Sequence, residues 1–99
     1  MAKFGSLIQS EKPVLLCFYD SENPEQVEGL KDKLKKVAAA PNLDSRVIKI
    51  DAQSNEKLVQ ALKINHLPNF MIYKNEKLLW QEAGNLAVES LVEAVQKNA

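Results

Sequence analysis

The sequence holds a single cysteine, Cys17, and a single histidine, His66. Thiol–disulfide chemistry needs a thiolate to attack and a second thiol to resolve the mixed disulfide. One thiol cannot close an intrachain disulfide, so an oxidising compartment is not required. Cys17 lies inside a continuous apolar run, where burial raises a thiol pKa and makes it inert, so a small core residue is expected. His66 cannot make a metal site alone, because structural zinc takes four ligands, and is expected in a loop. Glu22 and Glu25 have the chemistry of an acid/base pair. Acidic residues in the first turn of a helix also complement its macrodipole, and that reading is preferred. No catalytic residue, metal or cofactor is therefore expected.

The charge balance narrows the partners. Thirteen basic and thirteen acidic residues cancel, which gives no electrostatic case for nucleic acid or a membrane surface. Lys31–Lys36 is basic but interrupted by Asp32, and reads as a solvated helix face. Met1-Ala2-Lys3-Phe4 shows no apolar signal segment and no run approaches a membrane span, so a cytoplasmic protein is expected. The 99 residues fit one domain, long enough to bury a core without disulfides or metal.

The elements that must position these residues follow from punctuation and periodicity. Phe4, Leu7 and Ile8 recur at helical spacing, and Ser10-Glu11-Lys12-Pro13 stops that helix. Val14-Leu15-Leu16-Cys17-Phe18-Tyr19 has no polar alternation and reads as a central strand covered on both faces. Asn23 suits an N-cap, Pro24 the first helical position, and Gln26 can close a capping box. Val27, Leu30, Leu34 and Val37 form an apolar stripe, and Pro41-Asn42 breaks the helix. Val47-Ile48-Lys49-Ile50 is a second strand, with Lys49 snorkelling or edge-exposed. Ser54 is the expected N-cap of a helix carrying Leu58, Val59 and Leu62. Asn65-His66-Leu67-Pro68 is a loop, Phe70–Tyr73 a third strand, Lys74-Asn75-Glu76 a tight turn and Leu78-Leu79-Trp80 a fourth strand. Trp80 reads as an amphipathic cover for the sheet. Gly84-Asn85 precedes a last helix carrying Val88, Leu91, Val92 and Val95. The order is α-β-α-β-α-β-β-α, which predicts a right-handed parallel crossover, a final antiparallel hairpin and a three-layer α/β/α sandwich.

This order resembles the thioredoxin fold over most of the chain. Val14–Tyr19 is similar to the family's central strand, Val47–Asp51 to the next strand, Ile64–Pro68 with Phe70–Tyr73 to its cis-proline loop and strand, and Gly84 to its glycine after the last strand. The resemblance implies a four-stranded mixed sheet ordered second-first-third-fourth, a cis Pro68, and a Leu67 backbone facing a groove that pairs with extended substrates. The family's Cys-x-x-Cys motif falls on Asn23-Pro24-Glu25-Gln26, which cannot perform its chemistry. Its preceding tryptophan is Glu22 here, and its buried aspartate is Cys17. The strand that usually precedes the first helix has no room within Met1–Lys12.

The preferred expectation is a redox-inactive thioredoxin-like module that binds protein or peptide in a groove formed by Glu22, Asn23, Leu67 and Pro68. A second reading is a thiol-redox accessory using Cys17 with a partner thiol such as glutathione. A third is a structural, dimerising subunit. Strand 46–51 is expected to be an uncovered edge, open to a homodimer or an added partner strand. Ile48→Pro is the expected probe of that edge and Lys49→Pro its alternate-register control.

Overall fold

The computed structural model describes residues 3–40 and 45–99, so the break expected at Pro41-Asn42 lies outside the described residues. Helix α1 (Lys3–Ile8) precedes β1 (Val14–Tyr19), α2 (Pro24–Ala38) and β2 (Arg46–Asp51). A 3-10 turn (Gln53–Asn55) leads into α3 (Glu56–Ala61), then β3 (Asn69–Lys74), β4 (Lys77–Ala83) and α4 (Val88–Lys97). The four strands form one sheet ordered β2-β1-β3-β4. β1 and β2 are parallel; β3 is antiparallel to β1 and to β4. This is the mixed α/β sheet expected from the element order.

Alternation along β1 divides its side chains between two cores. Leu15 and Cys17 face Leu30, Leu34 and Val37 of α2 and Leu91, Ala94 and Val95 of α4. Val14, Leu16 and Phe18 face the other layer, against Ile8 of α1 and Ile64, with Leu58 and Val59 of α3 packed alongside. From Val14 to Phe18 every residue of β1 is fully buried, as its unbroken apolar run requires. Trp80 packs against the α2/α4 core, the covering role expected of it. Among the described residues, no helix is long and apolar enough to cross a membrane.

Two local details differ from expectation. Ser54 is not an N-cap: its hydroxyl donates to the Asp51 carboxylate (2.8 Å), and α3 starts at Glu56 after the 3-10 turn. Asp51 takes the hydroxyl because it also accepts the Gln53 backbone N–H at 3.0 Å, which winds the chain into that turn. The capping box at α2 is only half formed. Asn23 Oδ1 accepts the Gln26 N–H (3.2 Å), but the Gln26 side chain accepts from Asp20 N–H at 2.6 Å instead of from Asn23. The Asn23 N–H is already committed to the Asp20 carbonyl at 3.1 Å.

Positive φ values mark two turns, one leading toward the Leu67–Pro68 loop and one at the opposite end of β3. α3 ends with Lys63 at φ 56°, while Lys63 and Ile64 donate to the carbonyls of Gln60 and Val59, a Schellman stop. The β3–β4 turn holds Asn75 at φ 52° and Glu76 at φ 67°, the paired left-handed geometry of a type I′ hairpin. Glutamate has a Cβ penalty there that glycine lacks. Glu76→Gly is therefore expected to stabilise the protein by about 0.5–1 kcal/mol in urea unfolding, and a loss of stability would contradict the turn assignment.

Candidate functional site

The β1–β3 register, Cys17 opposite Phe70 and Phe18 opposite Asn69, sets two connections at one end of the sheet. One is the turn leaving β1 through Glu22 to Gln26. The other is the loop entering β3 through Leu67 and Pro68. The four side chains expected together, Glu22, Asn23, Leu67 and Pro68, thus belong to adjoining loops.

The first loop is a helix start in full. Asp20 accepts the Glu22 N–H at 3.0 Å, Asn23 caps α2, and Pro24 opens it, where a missing N–H costs nothing. Glu25 lies in the first turn beside the positive end of the helix dipole. Glu22, Asn23, Pro24 and Glu25 are exposed and Gln26 is half-buried. None of these five side chains carries a thiol, and a cap of this kind contributes about 1 kcal/mol to folding.

A polar network behind this turn was not read from the sequence. Gln53 Nε2 donates to Asp20 Oδ1 at 3.1 Å, joining the ends of β1 and β2. Asp51 is partly desolvated, which raises a carboxyl pKa. Hydrogen bonds from Ser54, Ser21 and Gln53 outweigh that and hold its carboxyl below the ordinary value. The local signal was Asp51-x-Gln53-Ser54, an Asx-turn pattern. The link to Asp20 spans 33 positions and leaves no such signal.

The second loop is different, because its backbone is open. The Leu67–Pro68 peptide bond is cis. The Pro68 carbonyl accepts the Gly84 N–H at 2.9 Å, and the His66 carbonyl accepts from Asn69 Nδ2 at 3.4 Å. Among the described residues nothing hydrogen-bonds to the Leu67 N–H or C=O. The Leu67 side chain is half-buried against the α1/α3 core, so the loop is anchored while its backbone donor and acceptor stay unpaired.

Cys17 stands apart from both loops. It is 0% exposed, and burial pushes its thiol pKa up to about 12 against the opposing pull of Lys33 and Lys49. His66 is exposed in its loop, and among the described residues no cluster of metal-ligating side chains forms.

The family model for thioredoxin matches residues 1–97. The chain belongs to the thioredoxin family. It is 31% identical over 102 residues to a protein of Arabidopsis thaliana described as thioredoxin Y2, chloroplastic, covering 96% of this chain. The chain spans only 57% of that relative's length. Solved thioredoxin structures align closely in shape at low identity. A mutant thioredoxin from Halobacterium salinarum superposes with a TM-score of 0.84 at 18% identity, covering 98% of this chain and 83% of that one. The thioredoxin of Malassezia sympodialis gives 0.80 at 18% identity, covering 96% and 82%. Within that family, this member has one cysteine, buried in β1, and a helix cap made of Asn23 and Gln26 at the strand-to-helix turn.

Proposed function

We propose that this thioredoxin-family domain is a redox-silent module that binds an extended segment of a partner protein across the Leu67–Pro68 loop. The observation that carries the reading is the unpaired Leu67 backbone beside a turn without a nucleophile. An extended segment pairing there gains backbone hydrogen bonds without any chemistry on the partner. Glu22 and Asn23, exposed on the adjoining turn, supply polar contacts to its side chains. The burial and raised pKa of Cys17 speak against the accessory reading, in which that thiol meets glutathione or a partner cysteine. The reading places the domain in the cytoplasm, although the Arabidopsis relative is by its name chloroplastic.

Dithiothreitol-driven insulin reduction tests the silence. The protein is expected to match the blank, because no dithiol exists to be turned over. A rate above the blank that Cys17→Ser abolishes overturns the proposal. The Asn23→Cys/Gln26→Cys double variant checks the placement of the lost motif. Its first thiol sits at the α2 N-terminus, where the dipole lowers a thiol pKa, so it is expected to close a disulfide under mild oxidation.

A further inference from the structure

Among the described residues no strand pairs with the outer side of β2, the strand at one edge of the sheet, which lies beside an apolar groove. Arg46 N–H donates to the Pro13 carbonyl at 3.0 Å and Ala52 N–H to the Tyr19 carbonyl at 2.9 Å. In a parallel ladder that phase turns the N–H and C=O of Arg46, Ile48 and Ile50 toward β1, and those of Val47, Lys49 and Asp51 outward. Val47 and Lys49 therefore each present a donor–acceptor pair away from the sheet, and Asp51 presents its N–H, its carbonyl already accepting from Asn55 Nδ2 at 2.8 Å. Val47 and Ile48 are only half-buried, although Ile50 beyond them is buried. Alongside runs a groove of about 720 Å3, lined by Phe4 and Leu7 of α1, Ile48 and Ile50 of β2, and Leu58 of α3, with the cations Lys49 and Lys57 and the carboxylates Asp51 and Glu56 also on its lining.

The opposite edge is protected in a way this one is not. β4 carries a bulge: Ile72 pairs with Trp80 and Tyr73 with Leu78, leaving Leu79 as the extra residue. A bulge twists an edge away from pairing. β2 keeps an unbroken register from Arg46 to Asp51.

The charges and register select the occupant. In an antiparallel pairing of two copies, outward residues must meet outward residues. Of the two registers that overlap the strand most fully, one puts Lys49 directly opposite its own copy and the other puts it diagonal to it. Like charges so placed oppose pairing. Among the described residues no carboxylate pairs with Lys49, whose ammonium lies 5.9 Å from the Tyr19 ring centre. Asp51, the next outward residue, already accepts from Ser54 and Gln53. The charge on offer at the middle of the edge is thus positive.

The geometry points to a second docking site, distinct from the Leu67 loop, in which β2 takes an extended peptide strand of a partner protein. That strand carries aliphatic residues at alternate positions, which enter the groove, and a carboxylate between them opposite Lys49. It adds a fifth strand to the sheet by main-chain hydrogen bonds, with the groove reading side chains.

The test uses the full chain and the capped hexapeptide Ser-Val-Glu-Val-Ser-Val, followed by backbone amide exchange. The peptide is expected to slow exchange at Val47, Lys49 and Asp51, leaving Leu67 unchanged. N-methylation of the peptide at one alternate set of residues is expected to abolish binding, and at the other set to preserve it. Lys49→Glu is expected to shift the preference between this peptide and its Glu-to-Lys counterpart by about fivefold. The register also reverses the roles of the proline probes. Lys49→Pro removes an outward donor and is expected to lose binding while folding, whereas Ile48→Pro breaks a bond to β1. Absence of protection at the three outward amides with millimolar peptide overturns the proposal. So does equal binding by both N-methylated sets, or concentration-dependent protection of those amides without peptide, which assigns the edge to a second copy. The Leu67 amide reports binding at the Leu67–Pro68 loop separately, so neither failure imitates the other.

Discussion

Native Cys17 is expected to react with an aromatic disulfide reagent at least about a thousandfold more slowly than the unfolded chain at neutral pH. Two causes act together. A thiol pKa of about 12 in place of 9.0 lowers the thiolate fraction by about a thousandfold, since each unit is tenfold. The sulfur is also 0% exposed between α2, α4 and the sheet, so reagent meets it only after an opening of the core. Labelling should therefore accelerate steeply with denaturant and follow the unfolding transition. Rapid, denaturant-independent labelling would show a reachable thiolate and revive the accessory reading with a partner thiol.

The same residue is expected to make the protein sensitive to alkali. The folded pKa of Cys17 lies above the unfolded one, so its contribution is fully present below about pH 9. As pH rises toward 12 the unfolded chain releases the proton first while the native state holds it. Protons bound by the unfolded state then number one fewer, and stability falls by about 1.4 kcal/mol per pH unit within that window. Between about pH 8 and 10.5 the loss attributable to Cys17 is expected to reach about 2 kcal/mol. Tyr73, raised by burial, adds a slope of the same sign. Urea unfolding of the wild type and Cys17→Ala isolates the cysteine, because the tyrosine is common to both. Identical pH slopes for the two proteins would contradict the burial of Cys17.

Both helical layers were legible because they rest on long-range patterning, whereas the sheet order followed from the resemblance to the thioredoxin fold. The unbroken run Val14–Phe18 demanded cover on two faces, and the stripes on α2 and α4 matched one of them. The Asn23-Pro24 start of α2 was legible because cap chemistry is local. Ser54 misled for a related reason: a hydroxyl before a helix resembles a cap, yet an aspartate three residues earlier competed for it. The Gln26 side chain went to Asp20 because a turn had already used the Asn23 N–H, which is a matter of φ and ψ and not of composition. Of the candidate site, the residue types were readable, while the open Leu67 backbone was implied by the family resemblance alone, because no local residue pattern signals an unpaired peptide group. The groove beside β2 joins side chains from α1, β2 and α3 and has no signature in any one segment.

Redox silence and binding across the Leu67–Pro68 loop are independent properties, and the second can be measured on its own. It is tested most directly by selecting peptides from a random displayed library on the purified domain, then measuring amide exchange with a selected peptide bound. Protection is predicted at Leu67, with binding lost when the peptide backbone is N-methylated at the residue paired to it. Selected peptides that bind at saturation and leave the Leu67 amide exchanging at its free rate would contradict the account.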